Sequence, residues 1–135
     1  MKISVICDNN KIPLVWELSK PQKADIKRCI NMIPKLNVNL KKKSFMISDK
    51  GYIIKKKYYR RKKKNIKIVS NTRKNQLKQN NEKEKKLLKK RYLVENCFAS
   101  IKNSYKRIRH IYDRKIKNYK TFFIMALTCQ LIGVL

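Results

Sequence analysis

The sequence predicts an α/β chain, with strands first and helices last. Three observations predict it. Apolar residues alternate near the start, short β-branched and apolar runs follow in the middle, and a stripe at helical spacing marks the last third.

Residues 2–18, KISVICDNNKIPLVWEL, read as a β-hairpin. Ile3, Val5 and Cys7 alternate on one arm, and Ile12, Leu14, Trp16 and Leu18 on the other. Asp8-Asn9-Asn10-Lys11 supplies the turn, since Asn tolerates positive φ. Pro13 has no N–H to give a ladder, so it marks an edge or an irregular strand start. A helix is expected over about residues 22–33, where Ile26, Cys29, Ile30 and Ile33 share a face and Pro34 ends it. SFMIS at 44–48 is a short strand of the fully buried type, and a basic helical stretch is expected at roughly 52–63. IKIVS at 66–70 is a second short strand. Residues 71–83 lack periodicity and read as a polar linker. A long helix is expected from Glu82–Glu84, its acids suiting the positive end of the helix dipole. Val94, Phe98, Ile101, Tyr105 and Ile108 form its apolar stripe. A final helix is expected from about Asn118 to the end. The domain reading is a single unit over 1–135, with a strand-rich segment over 1–70, a linker over 71–83 and helices over 84–135.

Charge bounds the function. The 135 residues carry 37 Lys plus Arg against 8 Asp plus Glu, a formal net charge of +29. Such a field draws nucleic acid first and anionic membrane surfaces second. The segment GYIIKKKYYRRKKK, 51–64, interleaves Tyr with Lys and Arg, as surfaces that hold phosphates and stack bases do; a solvated helical face with Tyr58 or Tyr59 in the core fits the same pattern equally well. The 4 Cys have no C-x-x-C pair and the chain has 1 His, which argues against a zinc site and excludes a His-based triad. The apolar tail FFIMALTCQLIGVL, 122–135, is shorter than the roughly 20 residues of a bilayer crossing and reads as a buried terminal helix, with a membrane tail anchor as the lesser alternative. No membrane partner is expected, and the chain is expected to work inside the cell.

Acids are scarce, so their positions carry information. Asp49 ends the apolar run FMIS, and in open α/β sheets the carboxyl ends of strands are where ligands gather. The bland alternative is a turn, with Gly51 two residues on. Glu95 lies mid-helix, and at about 100° per residue Arg91, Glu95 and Lys102 fall within roughly 40° of one another beside the apolar stripe. Its bland alternative is an exposed i,i+4 pair with Arg91. Two carboxylates in a cationic surround suit Mg²⁺ and phosphoryl transfer on DNA, a chemistry that needs no Ser, Cys or His nucleophile.

Three stretches resemble the C-terminal region of bacterial insertion-sequence transposases of the DDE type: SDKGY at 48–52, RYLVENCFASIK at 91–102 and KRIRHIYDRKIKNYKTFFIMALTCQLI at 106–132. VICDNNKIPLVWELSKPQKAD at 5–25 resembles the family's hairpin and the loop after it. The resemblance implies a partial RNase H-like fold: a hairpin, a helix, short strands, then C-terminal helices. It also implies that Asp49 and Glu95 are catalytic metal ligands for Mg²⁺ or Mn²⁺, and that Arg91, Lys102, Lys106 and Arg109 contact DNA. Implied partners are transposon-end and target DNA, together with an N-terminal half or a second copy of the chain. Two positions depart from the family. Leu88 stands where many relatives have Tyr. The family's first catalytic Asp lies on a strand before the hairpin, where this sequence begins. The expectation is therefore a truncated or split-gene fragment, lacking the first strand, that binds DNA and is inactive alone. The other class to weigh is a basic nucleic-acid-binding protein with no chemistry.

Overall fold

The computed structural model describes residues 2–37, 44–49, 52, 65–72, 79–110 and 115–133. The basic stretch at 53–64 and the middle of the predicted linker, 73–78, lie outside the described residues. The described elements are β1 (Lys2–Cys7), β2 (Pro13–Ser19), α1 (Asp25–Met32), β3 (Ser44–Ser48), β4 (Ile66–Ser70), α2 (Glu82–Leu88), α3 (Tyr92–Ser104), α4 (Lys106–Arg109) and α5 (Ile116–Leu131). Short 3₁₀ turns follow α1 at Ile33–Lys35 and α2 at Lys89–Arg91. The chain is of mixed α/β class, with small sheets and several helices, compatible with a partial RNase H-like fold. It divides into two compact units, one of residues 1–21 with 93–135 and one of residues 22–92.

In the first unit β1 and β2 form the predicted antiparallel hairpin, with Val5 opposite Trp16 and Ile3 opposite Leu18. Asp8 builds the turn by accepting two backbone N–H bonds, from Asn10 and Ile12, both at 2.8 Å. The positive φ falls on Lys11 at 65°, not on an Asn, because Asp8 anchors the N–H groups on either side of it. Pro13 opens β2, where the register shifts next to Cys7, as a residue without an N–H requires. One hairpin face, with Ile3, Val5, Cys7 and Trp16, packs on a cluster of Cys97, Ile101, Ile108, Phe123, Ala126 and Leu127. Trp16 meets Phe123 edge to face, with ring centroids 5.3 Å apart.

Two expectations for the helices change. The long helix is interrupted by the 3₁₀ turn before Tyr92 and again at Tyr105, so α4 is a separate short piece. Tyr105 has extended backbone, which lets Ile108 reach the core while the chain turns. Cys97 lies deeper in the core than Phe98, because the helix is rotated so that Cys97 and Ile101, four apart, face the cluster. The final helix is only half buried. Tyr119, Phe123, Ala126 and Leu127 share the inner face, whereas Ile116, Ile124, Met125 and Leu131 are exposed. Thr128 is accommodated in this apolar helix because its hydroxyl donates to the Ile124 carbonyl at 3.0 Å. Among the described residues, no helix is long and apolar enough to cross a membrane.

In the second unit β3 and β4 pair in parallel, from Ser44 opposite Ile66 to Ser48 opposite Ser70. The apolar run at 44–48 predicts full burial, yet the strand is mostly half buried and Phe45 is exposed. Among the described residues its sheet has two strands, so β3 has one neighbour and α2 packed along it. Helix α1 begins at Asp25 and buries Cys29 and Met32, with Ile33 in the 3₁₀ turn after it. It also buries Arg28 completely. That guanidinium pairs with Asp25 and donates to the Lys23 carbonyl at 2.9 Å, while its Nε and Nη1 find no acceptor among the described residues.

Candidate catalytic carboxylates and their basic surround

The geometry around Asp49 starts thirty residues downstream, at the entrance to α2. Asn81 caps that helix by accepting from the Glu84 N–H at 2.8 Å, and Glu84 returns a bond to the Asn81 N–H. The same Glu84 carboxylate takes the Lys67 ammonium of β4 at 2.7 Å. Asn80 donates to the Ser70 carbonyl at 2.9 Å at the end of β4. These bonds set α2 on the sheet, and the 3₁₀ turn at its end then packs on β3. Arg91 is the last residue of that turn.

Asp49 follows β3 directly. Its carbonyl accepts the Tyr52 N–H at 2.9 Å, so it opens a turn, as the bland reading required. Its side chain does something the turn does not need: Oδ1 accepts from Arg91 Nη1 at 3.2 Å. The side chains are 62% exposed at Asp49 and 40% at Arg91, so water and ions reach the pair. An ion pair that exposed is worth well under about 1 kcal/mol. Its interest is therefore positional. It places a cation of the RYLVENCFASIK stretch beside the acid of the SDKGY stretch, 42 residues away in sequence.

Spacing alone pairs Arg91 with Glu95, and nothing in the sequence points from Arg91 to Asp49. Glu95 lies exposed in the first turn of α3. That helix belongs to the hairpin unit, as do Lys102, Lys106 and Arg109. Lys102 rests over the Phe98 ring, its Nζ 5.9 Å from the centroid. Lys106 and Arg109 are exposed on α4. Sequence reasoning passes over Arg107, whose guanidinium stacks 3.7 Å from the Phe122 centroid and ties α4 to α5. A basic residue and an aromatic on neighbouring helices give no periodic signal.

The remaining acids with named partners are committed elsewhere. Asp8 holds the hairpin turn, Asp25 the buried Arg28, and Glu82 pairs with Lys85 at 2.8 Å. Asp49 and Glu95 are exposed, hard oxygen donors of the type that suits Mg²⁺. The thiols are unsuited to it and lie at least partly in the interior. Among the described residues, no three His, Cys, Asp or Glu side chains gather as a metal-ligating group. The donor chemistry thus fits a divalent ion, whereas a complete ligand set is not assembled from the described residues.

No curated protein and no solved structure matches the chain. A family model described as a transposase DDE domain matches residues 1–131, almost the whole length. The chain therefore belongs to the transposase DDE domain family.

Proposed function

We propose that the chain supplies two of the three carboxylates of a DNA-cleaving and strand-transferring site, Asp49 and Glu95. The metal, Mg²⁺ or Mn²⁺, would activate a hydroxyl and stabilise the leaving oxygen of an in-line displacement. The protein's own contribution is positioning. Asp49 offers an exposed carboxylate at the carboxyl end of a parallel strand. Arg91 keeps a positive charge against it, and Lys102, Lys106 and Arg109 hold backbone phosphates without reading sequence. The observation that carries the reading is the Asp49–Arg91 pair at 3.2 Å, which joins two stretches singled out independently in the sequence. Its substrate is DNA, at transposon ends and target, which places its work inside the cell. The pairing of two DNA ends makes a second copy of the chain, or a segment bearing the third acid, the natural partner.

On this reading residues 1–135 alone bind DNA and leave it intact. The test is a cleavage and strand-transfer assay on element-end DNA with Mg²⁺ or Mn²⁺, beside an electrophoretic binding assay. Binding without cleavage is expected, and cleavage should appear when the chain is extended to include the third acid. Asp49→Ala and Glu95→Gln should then abolish it while leaving binding largely intact. Metal-dependent cleavage by the 135-residue chain itself, lost in Asp49→Ala, would overturn the assignment of two ligands.

A second reading, a nucleic-acid-binding protein without chemistry, is favoured by the net charge of +29. It predicts that even the extended chain ignores Mg²⁺ and that Glu95→Gln changes nothing.

A further inference from the structure

Helix α5 has two apolar faces. The inner one, with Tyr119, Phe123, Ala126 and Leu127, is buried. The outer one carries Ile124, Met125, Leu131 and Ile132, exposed from 43% at Ile124 to 65% at Ile132. Exposed apolar residues scattered singly are ordinary, whereas a contiguous set on one helix face marks an interaction surface. Its spacing is ordered as well. Lys117, Thr121, Ile124, Thr128 and Leu131 follow one another at alternating steps of four and three, the seam along which one helix seats another. The two threonines do not oppose burial of this face. The Thr121 hydroxyl donates to the Lys117 carbonyl at 3.2 Å and the Thr128 hydroxyl to the Ile124 carbonyl at 3.0 Å, so each donor is already used on its own helix. Covering the face strands neither of them.

We infer that this face docks a second copy of the chain, α5 against α5, antiparallel about a two-fold axis. Charge selects the occupant. The chain carries +29, so two copies repel over most of their surface, whereas residues 121–135 have no charged side chain. A nucleic acid or an acidic protein gains most from the cationic surface and little from this face. A second copy gains only here.

The helix ends select the orientation. Helix α5 has no acid in its first turn, no base in its last turn and no side-chain cap from Lys115. Lys117 and Lys120 stand exposed near its N-terminus instead, at the positive end of the helix dipole. An antiparallel pair brings these lysines beside the last carbonyls of the other α5, where the dipole is negative and that helix has no cation of its own. A parallel pair would set lysine against lysine. The two-fold axis repeats the contact, so one surface serves both copies and association closes at two. Each helix is already held by its own core, so little order is lost on pairing. The second copy invoked for two DNA ends thus has a place to dock, whatever the roles of Asp49 and Glu95.

The test is sedimentation velocity on the reduced, nucleic-acid-free 135-residue chain in about 0.5 M salt, which screens surface repulsion and strips DNA. By about 100 μM a particle of twice the 16.2 kDa of one chain is expected. A chain that stays at 16.2 kDa, or that grows without closing, overturns the inference. Ile124→Lys puts a cation into the seam at a residue outside the core, and should return the particle to 16.2 kDa with Trp16 emission unchanged. A dimer that survives this change pairs through another surface, which also overturns it. Orientation is read from Lys117→Gln combined with Lys120→Gln, at about 0.15 M salt, where helix-end charges are still felt. Removing like charges should tighten a pair that merely repels, whereas the dipole contact predicts association at least about threefold weaker. Unchanged or tighter association would overturn the antiparallel arrangement. A chain that is monomeric in solution but pellets with neutral phosphatidylcholine vesicles, and loses this in Ile124→Lys, would give the face to a lipid surface and overturn the pairing.

Discussion

The hairpin unit gathers Cys97, Ile101, Ile108, Phe123, Ala126 and Leu127 into one apolar cluster under a β-hairpin. Among the described residues, the β3–β4 unit buries Cys29, Met32, Ile33, Leu36, Ile66 and Val69. Its directional contacts are of two kinds: Arg28 with Asp25 and Asn81 with Glu84 fasten α1 and the start of α2 locally, whereas Lys67 to Glu84 and Asn80 to Ser70 join β4 to the entrance of α2. The difference has a physical lesson. Apolar burial is non-directional and fixes which elements meet, whereas hydrogen bonds and ion pairs fix where their ends point. The strand end at Asp49 lies in the unit with the polar fastenings, where placement of a charged side chain matters most.

The largest expected effect tests the apolar half of that contrast. Phe123 is fully buried and gives its edge-to-face contact to Trp16. Phe123→Ala should cost about 3–5 kcal/mol. The chain has 1 Trp, so Trp16 fluorescence during urea unfolding reports the hairpin unit directly. A shift corresponding to less than about 1 kcal/mol would mean that the cluster does not hold this unit together.

Next comes the buried ion pair of α1. Asp25→Ala leaves a fully buried guanidinium without its carboxylate, and should cost about 2–3 kcal/mol. Arg28→Met removes both the charge and two unsatisfied donors, and should be neutral to within about 1 kcal/mol. Hydrogen exchange at the α1 amides distinguishes the two. Equal losses would show that Arg28 contributes through its contacts more than its burial costs, which would sharpen the polar side of the comparison.

A third effect is pH-dependent and again belongs to the β3–β4 unit. The Cys29 thiol is pushed up to about 11 by burial, above the ordinary value of the unfolded chain. Below about pH 8.5 both states keep the proton and the contribution is constant. Between there and about 11 the unfolded chain releases it first, so stability falls as pH rises, by about 3 kcal/mol in total. Cys29→Ala should flatten that region of the profile. Because many lysines titrate nearby, the measurement is the difference between the two proteins' denaturation midpoints across this range.

Much of this architecture is written in local pattern. The hairpin, both short strands, α1 and the start of α2 at Glu82 follow from alternation, turn chemistry and dipole-complementary acids, all of which act within a few residues. What the pattern leaves out has long sequence separation or depends on rotation. The Arg91–Asp49 pair spans 42 residues, and Cys7 of the hairpin packs on the cluster built by α3 to α5 near the other end of the chain. The stripe through Val94 and Phe98 lies close to the buried face, but a modest helix rotation makes Cys97 the deepest residue. The half-exposed β3 shows the same limit, since an apolar run does not say how many strands flank it. Asp49 and Glu95 are legible as candidates because acids are rare in this chain and both sit in family-like stretches. Periodicity alone could not select them.

The smallest effect concerns the cap at the start of the helical run 82–104. Asn81→Ala removes one partner of the capping box and should cost about 1 kcal/mol. Glu84 has two roles, one to the Asn81 N–H and one to Lys67, so the mutation leaves the second intact. The first-turn amides of α2 should therefore exchange about fivefold faster while the Lys67 contact survives. The Trp16 unfolding midpoint should move little, because the cap belongs to the unit of residues 22–92 and Trp16 to the other. Equal movement of both signals would mean that a bond one turn long is felt throughout the chain, and that the two units unfold as one. Movement of the α2 amides alone would locate the directional fastening where the comparison puts it, on the element that carries Arg91 to Asp49.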